Sequence, residues 1–188
     1  MIWESDKWKS DLIKDADILQ RWAKKKPSSR QAVLFEKKIM ISAYTIRKLI
    51  EAEKIGPDIK DEYWNIEIKK FTKNNNEKQI NLLNWHHIDK HYNLNDSFST
   101  KNKTTLIKIC NLIIHSYIFC LSHDNENFVD GFFVTSDHEK ENNLYWIKLD
   151  TFITLITEIG YLDIHELTMT ENKRKPSGWT IKREYVYK

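Results

Sequence analysis

The chain has 188 residues, of which 40% are hydrophobic, 12% aromatic and 30% charged. A chain of this length fits one domain and can bury about 70% of its unfolded surface, so neither metal nor disulfide is needed to hold a core. Thirty basic against twenty-seven acidic side chains leave +3, too even for a protein that coats nucleic acid or membrane, while seven Trp, eight Tyr and eight Phe exclude a disordered chain.

The charge is unevenly spread. Residues 1–54 carry thirteen basic and eight acidic groups, and residues 104–160 carry three and eight. Either the basic N-terminal third packs on the acidic centre or draws a partner, or the two are separately solvated faces. Cys110 and Cys120 are too few for a disulfide scaffold. Ten residues on a helix span about 15 Å, so both are expected to be buried free thiols in a reducing compartment. The charged start at Met1–Lys7 lacks the apolar stretch of a signal peptide, and Leu106–Leu121 is too short and too polar to span a bilayer. The expected location is cytoplasmic.

In chain order, Ser5 is placed to cap a first helix, with Trp8, Leu12, Ala16, Leu19 and Ala23 at helical spacing. Lys24–Lys26 and Pro27 end it. A second helix is expected from about Gln31 to Lys54, with Phe35, Ile39, Ala43, Ile46 and Ile50 as its apolar stripe and Gly56-Pro57 as its stop. The period then changes to two at Trp64, Ile66 and Ile68, and Asn74–Asn76 can turn this strand into a hairpin with Lys78–Trp85. Residues 86–103 read as irregular with one helical turn. A third helix, central and largely apolar, is expected over Thr104–Leu121. Strands at Phe128–Thr135 and Leu144–Leu149 flank a charged turn, Asp150 caps a short helix closing at Gly160, and Tyr161–Thr170 pairs with Trp179–Tyr187. The expected fold is a single α+β domain over 1–188. Its 1–54 region is helical and basic, and 61–188 adds the buried helix and an antiparallel sheet of about six strands.

On the third helix, at about 100° per residue, Thr104, Lys108, Asn111, His115 and Ser122 form a narrow polar stripe. Such a stripe faces water, a cleft, or internal hydrogen-bond partners, since each unpartnered buried polar group costs about 1–3 kcal/mol. Asn111 and His115 are one turn apart and can hold the same ligand. An imidazole can accept and return a proton near neutral pH, and Lys108 adds a positive charge for phosphate or a developing oxyanion. The same stripe is equally what the solvent edge of a core helix looks like.

The run Cys110-Asn111-Leu112-Ile113-Ile114-His115 resembles the signature of the HEPN superfamily, in which an Arg and a polar residue, often Asn, precede a His late in a helical bundle. Asn111 and His115 match; the Arg position holds Cys110. The resemblance implies metal-independent RNA cleavage in which the family's His and Arg are implicated, a role in bacterial toxin–antitoxin or phage-defence systems, and a homodimer with facing sites. His115 and Asn111 are then the candidate catalytic residues, His115 to transfer the proton and Asn111 to orient the RNA or the imidazole. With Cys110 in place of Arg, either Lys108 or Arg47 replaces the missing cation or the scaffold persists without the activity. No cofactor and no metal is implied.

Arg47 shares a helix face with Met40, Tyr44 and Glu51, so it either pairs with Glu51 or reaches the His115 cleft. His86, His87 and His91 resemble a metal cluster but lack a cysteine pair and read as a polar surface segment. Lys173, Arg174 and Lys175, near Trp179, Tyr185 and Tyr187, form a basic patch that either contacts RNA or protects a hairpin edge. No Gly-rich phosphate loop, nucleophile elbow, paired-Cys motif or calcium loop occurs. Two functions remain open: a HEPN-like RNase or degenerate relative, and a non-enzymatic interaction subunit or antitoxin-like partner.

Overall fold

A computed structural model describes residues 4–55, 66–75, 79–95, 100–171 and 179–187 of the chain. The elements run α1 (Ser5–Ala23), α2 (Ser29–Glu51), β1 (Ile66–Thr72), the single turn α3 (Ile88–His91), β2 (Thr100–Thr104), α4 (Leu106–Ile114), β3 (Ser116–His123), β4 (Val129–Ser136), β5 (Asn143–Lys148), α5 (Leu149–Tyr161), β6 (Leu162–Glu171) and β7 (Trp179–Tyr187). Helix and strand are mixed, as expected. Among the described residues, however, the strands form no six-stranded sheet. They divide into a five-stranded sheet in the order β2-β1-β5-β4-β3 and a separate pair β6-β7, every pairing antiparallel.

The helical N-terminal region follows from apolar stripes. Leu12, Ala16 and Leu19 of α1 and Phe35, Ile39, Ala43, Ile46 and Ile50 of α2 are all buried. Glu4, not Ser5, is the N-cap of α1 and makes no side-chain cap bond. Helix α2 carries the stronger start signal: Ser28 accepts from the Gln31 amide and the Gln31 side chain accepts from the Ser28 amide, a reciprocal capping box. Helix α5 starts after Lys148, with Asp150 inside its first turn rather than at the cap. A carboxylate there still complements the helix dipole.

The largest departure lies in Leu106–Leu121. The helix stops at Ile114, with His115 as C-cap, and the chain continues as strand β3, paired with β4. Thr104 belongs to β2 and Ser122 to β3, so neither joins Lys108, Asn111 and His115 on a helix face. The reason is that β3 is covered on both sides. Phe119 and Leu121 pack into the larger core under α4 and α5, while Ile118 and Cys120 join a second cluster with Phe71, Ile80, Tyr92 and Leu144. A strand that packs apolar side chains on both faces loses its alternation and cannot be told from a helix by period alone.

The second cluster explains another difference. Residues 79–87 form turns, not a hairpin strand against β1, because both edges of β1 are already taken by β2 and β5. Asn81 and Asn84 satisfy this segment locally: Asn84 Oδ1 accepts from the Asn81 amide and Asn81 Oδ1 from the Leu83 amide, each at 2.8 Å. Ile80 anchors it: its backbone amide donates a hydrogen bond to Glu141 Oε1 at 2.9 Å. Strand β2 falls in the stretch read as irregular. Cys110 is buried but Cys120 only half-buried, and they lie on different elements. Gly56, Pro57, Trp64 and the Lys173-Arg174-Lys175 patch lie outside the described residues.

The layering places the site. Helices α4 and α5 lie on β4, α1 packs on α5, and α2 packs on α4. The basic N-terminal helices therefore do pack on the central segment, and α2 brings Arg47 to the end of α4.

Candidate active site

Where α4 runs out, its last turn, α2 and the β4–β5 turn enclose a cleft of about 750 Å³, within the roughly 300–1,000 Å³ of typical small-ligand sites. Its lining includes Arg47, Lys108, Asn111, His115, His138 and Glu139. Thr105 caps α4 by accepting from the Lys108 amide at 3.3 Å, which fixes the helix register so that Lys108, Asn111 and His115 share the cleft side. Cys110, one residue away, turns into the core at 1% exposure.

Arg47 unites both alternatives read from the sequence. Its Nε donates to Glu51 Oε1 at 2.8 Å, and its Nη1 donates to Asn111 Oδ1. Five guanidinium donors outnumber these two acceptors, so the side chain is positioned and retains capacity for an anion. The hydrogen bonds of Lys48 and Arg47 hold the Glu51 carboxyl below its ordinary range. His115 is exposed, its amide donates to the Asn111 carbonyl at 3.0 Å, and no bond to its ring occurs among the described residues.

The opposite wall was not legible in the sequence. Glu139, on the β4–β5 turn, accepts from Tyr145 Oη at 2.7 Å and Asn143 Nδ2 at 3.0 Å, and lies 3.4 Å from Lys108 Nζ. Desolvation works against its charged form, but the bonds from Tyr145 and Asn143 and the Lys108 charge outweigh it, leaving the carboxyl below its ordinary range. Burial and the bond to Glu139 push the Tyr145 phenol up, so it remains a donor. Lys108 also sits 5.2 Å from the Tyr145 ring centre. The charged turn at 137–141 is visible in the sequence, yet nothing there says that strand pairing carries it to the end of α4.

The histidines at 86–91 do not converge. His91 is buried, with Nε2 3.0 Å from the Asn84 carbonyl, while the rings of His86 and His87 lie against each other at 4.0 Å. Among the described residues no group of three His, Cys, Asp or Glu side chains is arranged to hold a metal ion, and no helix is long and apolar enough to cross a membrane. Of the residues singled out from the sequence, Arg47, Lys108, Asn111 and His115 come together; the basic patch at 173–175 lies outside the described residues. Comparison with protein-family models, curated proteins and solved structures finds no match to this chain.

Proposed function

We propose that the chain is a metal-independent endoribonuclease of HEPN-like character, acting in bacterial toxin–antitoxin or phage defence. Its cleft holds an RNA phosphate on Arg47 and Lys108, and His115 is the proton-transfer group. The observation that carries this reading is the bond from Arg47 to Asn111. An arginine absent from the local run, where Cys110 stands, is supplied from α2 to the residue one turn before the histidine. Guanidinium and ammonium groups fixed beside an exposed imidazole suit a reaction that builds charge on phosphate oxygens.

In this reading His115 takes the proton of a 2′-hydroxyl, whose oxygen bonds to the adjacent phosphorus as the bond from phosphorus to the 5′-oxygen breaks, and the departing oxygen takes up a proton to leave as a 5′-hydroxyl. Arg47 and Lys108 stabilise the charge that develops, and Asn111 orients Arg47. The test is a single-stranded RNA and the DNA of the same sequence, both incubated with the purified protein in excess chelator. Cleavage of the RNA alone is expected, because only RNA carries the nucleophile. Equal cleavage of both, or none of either, overturns the proposal.

A second reading, an interaction subunit with a protein partner, is favoured by exposed apolar side chains: Val33, Ile41 and Tyr44 along α2, and Leu82 and Leu83 at the tip of the 79–87 turn, which are 78% and 86% exposed. Co-purification with a stable partner, unaffected by His115→Ala, would support it.

A further inference from the structure

We propose that His138 is a second catalytic residue of the same cleft: the general acid that protonates the leaving 5′-oxygen while His115 takes the proton of the attacking 2′-hydroxyl. This rests on the RNA-cleaving reading above and adds a group that the HEPN-like run does not contain.

The chain has seven histidines. Those lining the cleft are His115, at the end of α4, and His138, on the turn between β4 and β5. Both are exposed. The turn that carries His138 is firmly built: the Glu139 and Lys140 amides donate to the Ser136 carbonyl at 3.1 and 2.9 Å, and the Asn142 and Asn143 amides donate to the Glu139 carbonyl at 2.9 and 2.7 Å. Its side chains are committed as well. Asp137 pairs with Lys140 at 2.5 Å, and Lys140 lies 3.6 Å from the Tyr117 ring centre. Glu139 is held by Tyr145 and Asn143, and Glu141 pairs with Lys73 at 2.5 Å while accepting from the Ile80 amide. Across 137–141, His138 is the residue whose side chain makes no such contact among the described residues, and it faces the cleft. Its neighbours fix its position and leave its ring nitrogens available to a ligand.

The chemistry calls for two proton-transfer groups. The 2′-oxygen forms a bond to phosphorus as the bond from phosphorus to the 5′-oxygen breaks. One proton leaves the 2′-hydroxyl and another must reach the departing oxygen, and a single imidazole cannot hold both positions in one step. Arg47 and Lys108 line the cleft between the two histidines' elements, Lys108 Nζ 3.4 Å from Glu139, where they stabilise the charge that builds on the phosphate oxygens; His115 takes its proton from the α4 end. The leaving oxygen then departs toward the turn and His138. The products are a 2′,3′-cyclic phosphate and a 5′-hydroxyl. His115 ends protonated and His138 deprotonated, and water restores both without any co-reactant.

The test uses the full chain and two RNAs, one with an ordinary scissile linkage and one with sulfur replacing the bridging 5′-oxygen, which leaves as a thiolate and needs no acid. His138→Ala and His138→Gln are expected to cleave the ordinary linkage roughly 10²–10⁴-fold more slowly than the unaltered protein. On the sulfur linkage both variants should stay within a few-fold of it, while His115→Ala should be slow on both. Full activity of the His138 variants on the ordinary linkage, or equal loss on both linkages, overturns the role of His138 alone. An unaltered protein inert on both linkages overturns the RNA-cleaving reading and this inference with it.

Discussion

Arg47 of α2 donates a hydrogen bond to the side-chain oxygen of Asn111 on α4, joining residues 64 positions apart at the mouth of one cleft. The same guanidinium is braced from behind by Glu51, one helical turn along α2. A cation held at two points loses little freedom when it meets a phosphate, and its planar fork is what lets it serve both acceptors at once.

Arg47→Ala should therefore reduce RNA cleavage by about 10²–10³-fold, the scale of removing one donor to a developing oxyanion. Its stability should change by no more than about 1 kcal/mol, since the Glu51 pair is partly exposed. Arg47→Lys should fail to restore the rate because an ammonium cannot span Glu51 and Asn111 with a fixed fork. Single-turnover kinetics and thermal melts on the same samples check both statements.

Cys110→Arg, which would complete the family-like run, should destabilise the protein by roughly 3–5 kcal/mol, because it places an unpaired charge in the core. Position 110 is 1% exposed, and burial pushes its thiol up to about 12. The native thiol should accordingly resist alkylation until the chain unfolds. Denaturant midpoints and mass-spectrometric labelling read the two effects.

How far the sequence speaks depends on the surroundings of each run. The stripe Phe35, Ile39, Ala43, Ile46, Ile50 announces α2 because one side of that helix meets the core and the other meets water. Leu106–Leu121 contains both a helix and a strand, yet reads as one helix because apolar neighbours surround both. Tyr117, Ile118 and Phe119, aromatic and β-branched, are the signal that could have divided it. The spacing of Asn111 and His115 singled them out in the sequence, and both line one cleft in the structure. Glu139, Tyr145 and His138 were not so singled out, since only the β4–β5 pairing brings their turn to α4.

Glu139 gives the fold an acid-sensitive wall. Its carboxyl titrates below the ordinary 4.5 in the folded protein, so the stability it contributes is fully present above that value and is lost as the pH falls through the lower folded-state value. Glu139→Gln should flatten this part of the stability profile, below about pH 4.5. Urea midpoints at stepped pH, compared with the unaltered protein, measure it; parallel profiles would contradict the assignment.

Gly131→Ala should destabilise by roughly 1–3 kcal/mol through overpacking. A Cβ there would lie 2.6 Å from the Ile147 carbonyl oxygen and 2.7 Å from the Trp146 indole. Trp146 Nε1 donates to Ser122 Oγ at 2.7 Å, and Ser122 donates to Asp130 at 2.6 Å. Displacing the ring breaks this cross-strand chain, so a shift in tryptophan emission should accompany the lower melting temperature.

The proposed RNA cleavage by proton transfer at His115, in the cleft shared with Arg47, leaves a chemical signature on its products. Mass spectrometry of the fragments released from a defined RNA in chelator tests it most directly. The expected ends are 2′,3′-cyclic phosphates, reduced by at least about 10²-fold in His115→Ala. Fragments formed at an unchanged rate by that variant, or none from the unaltered protein, would contradict it.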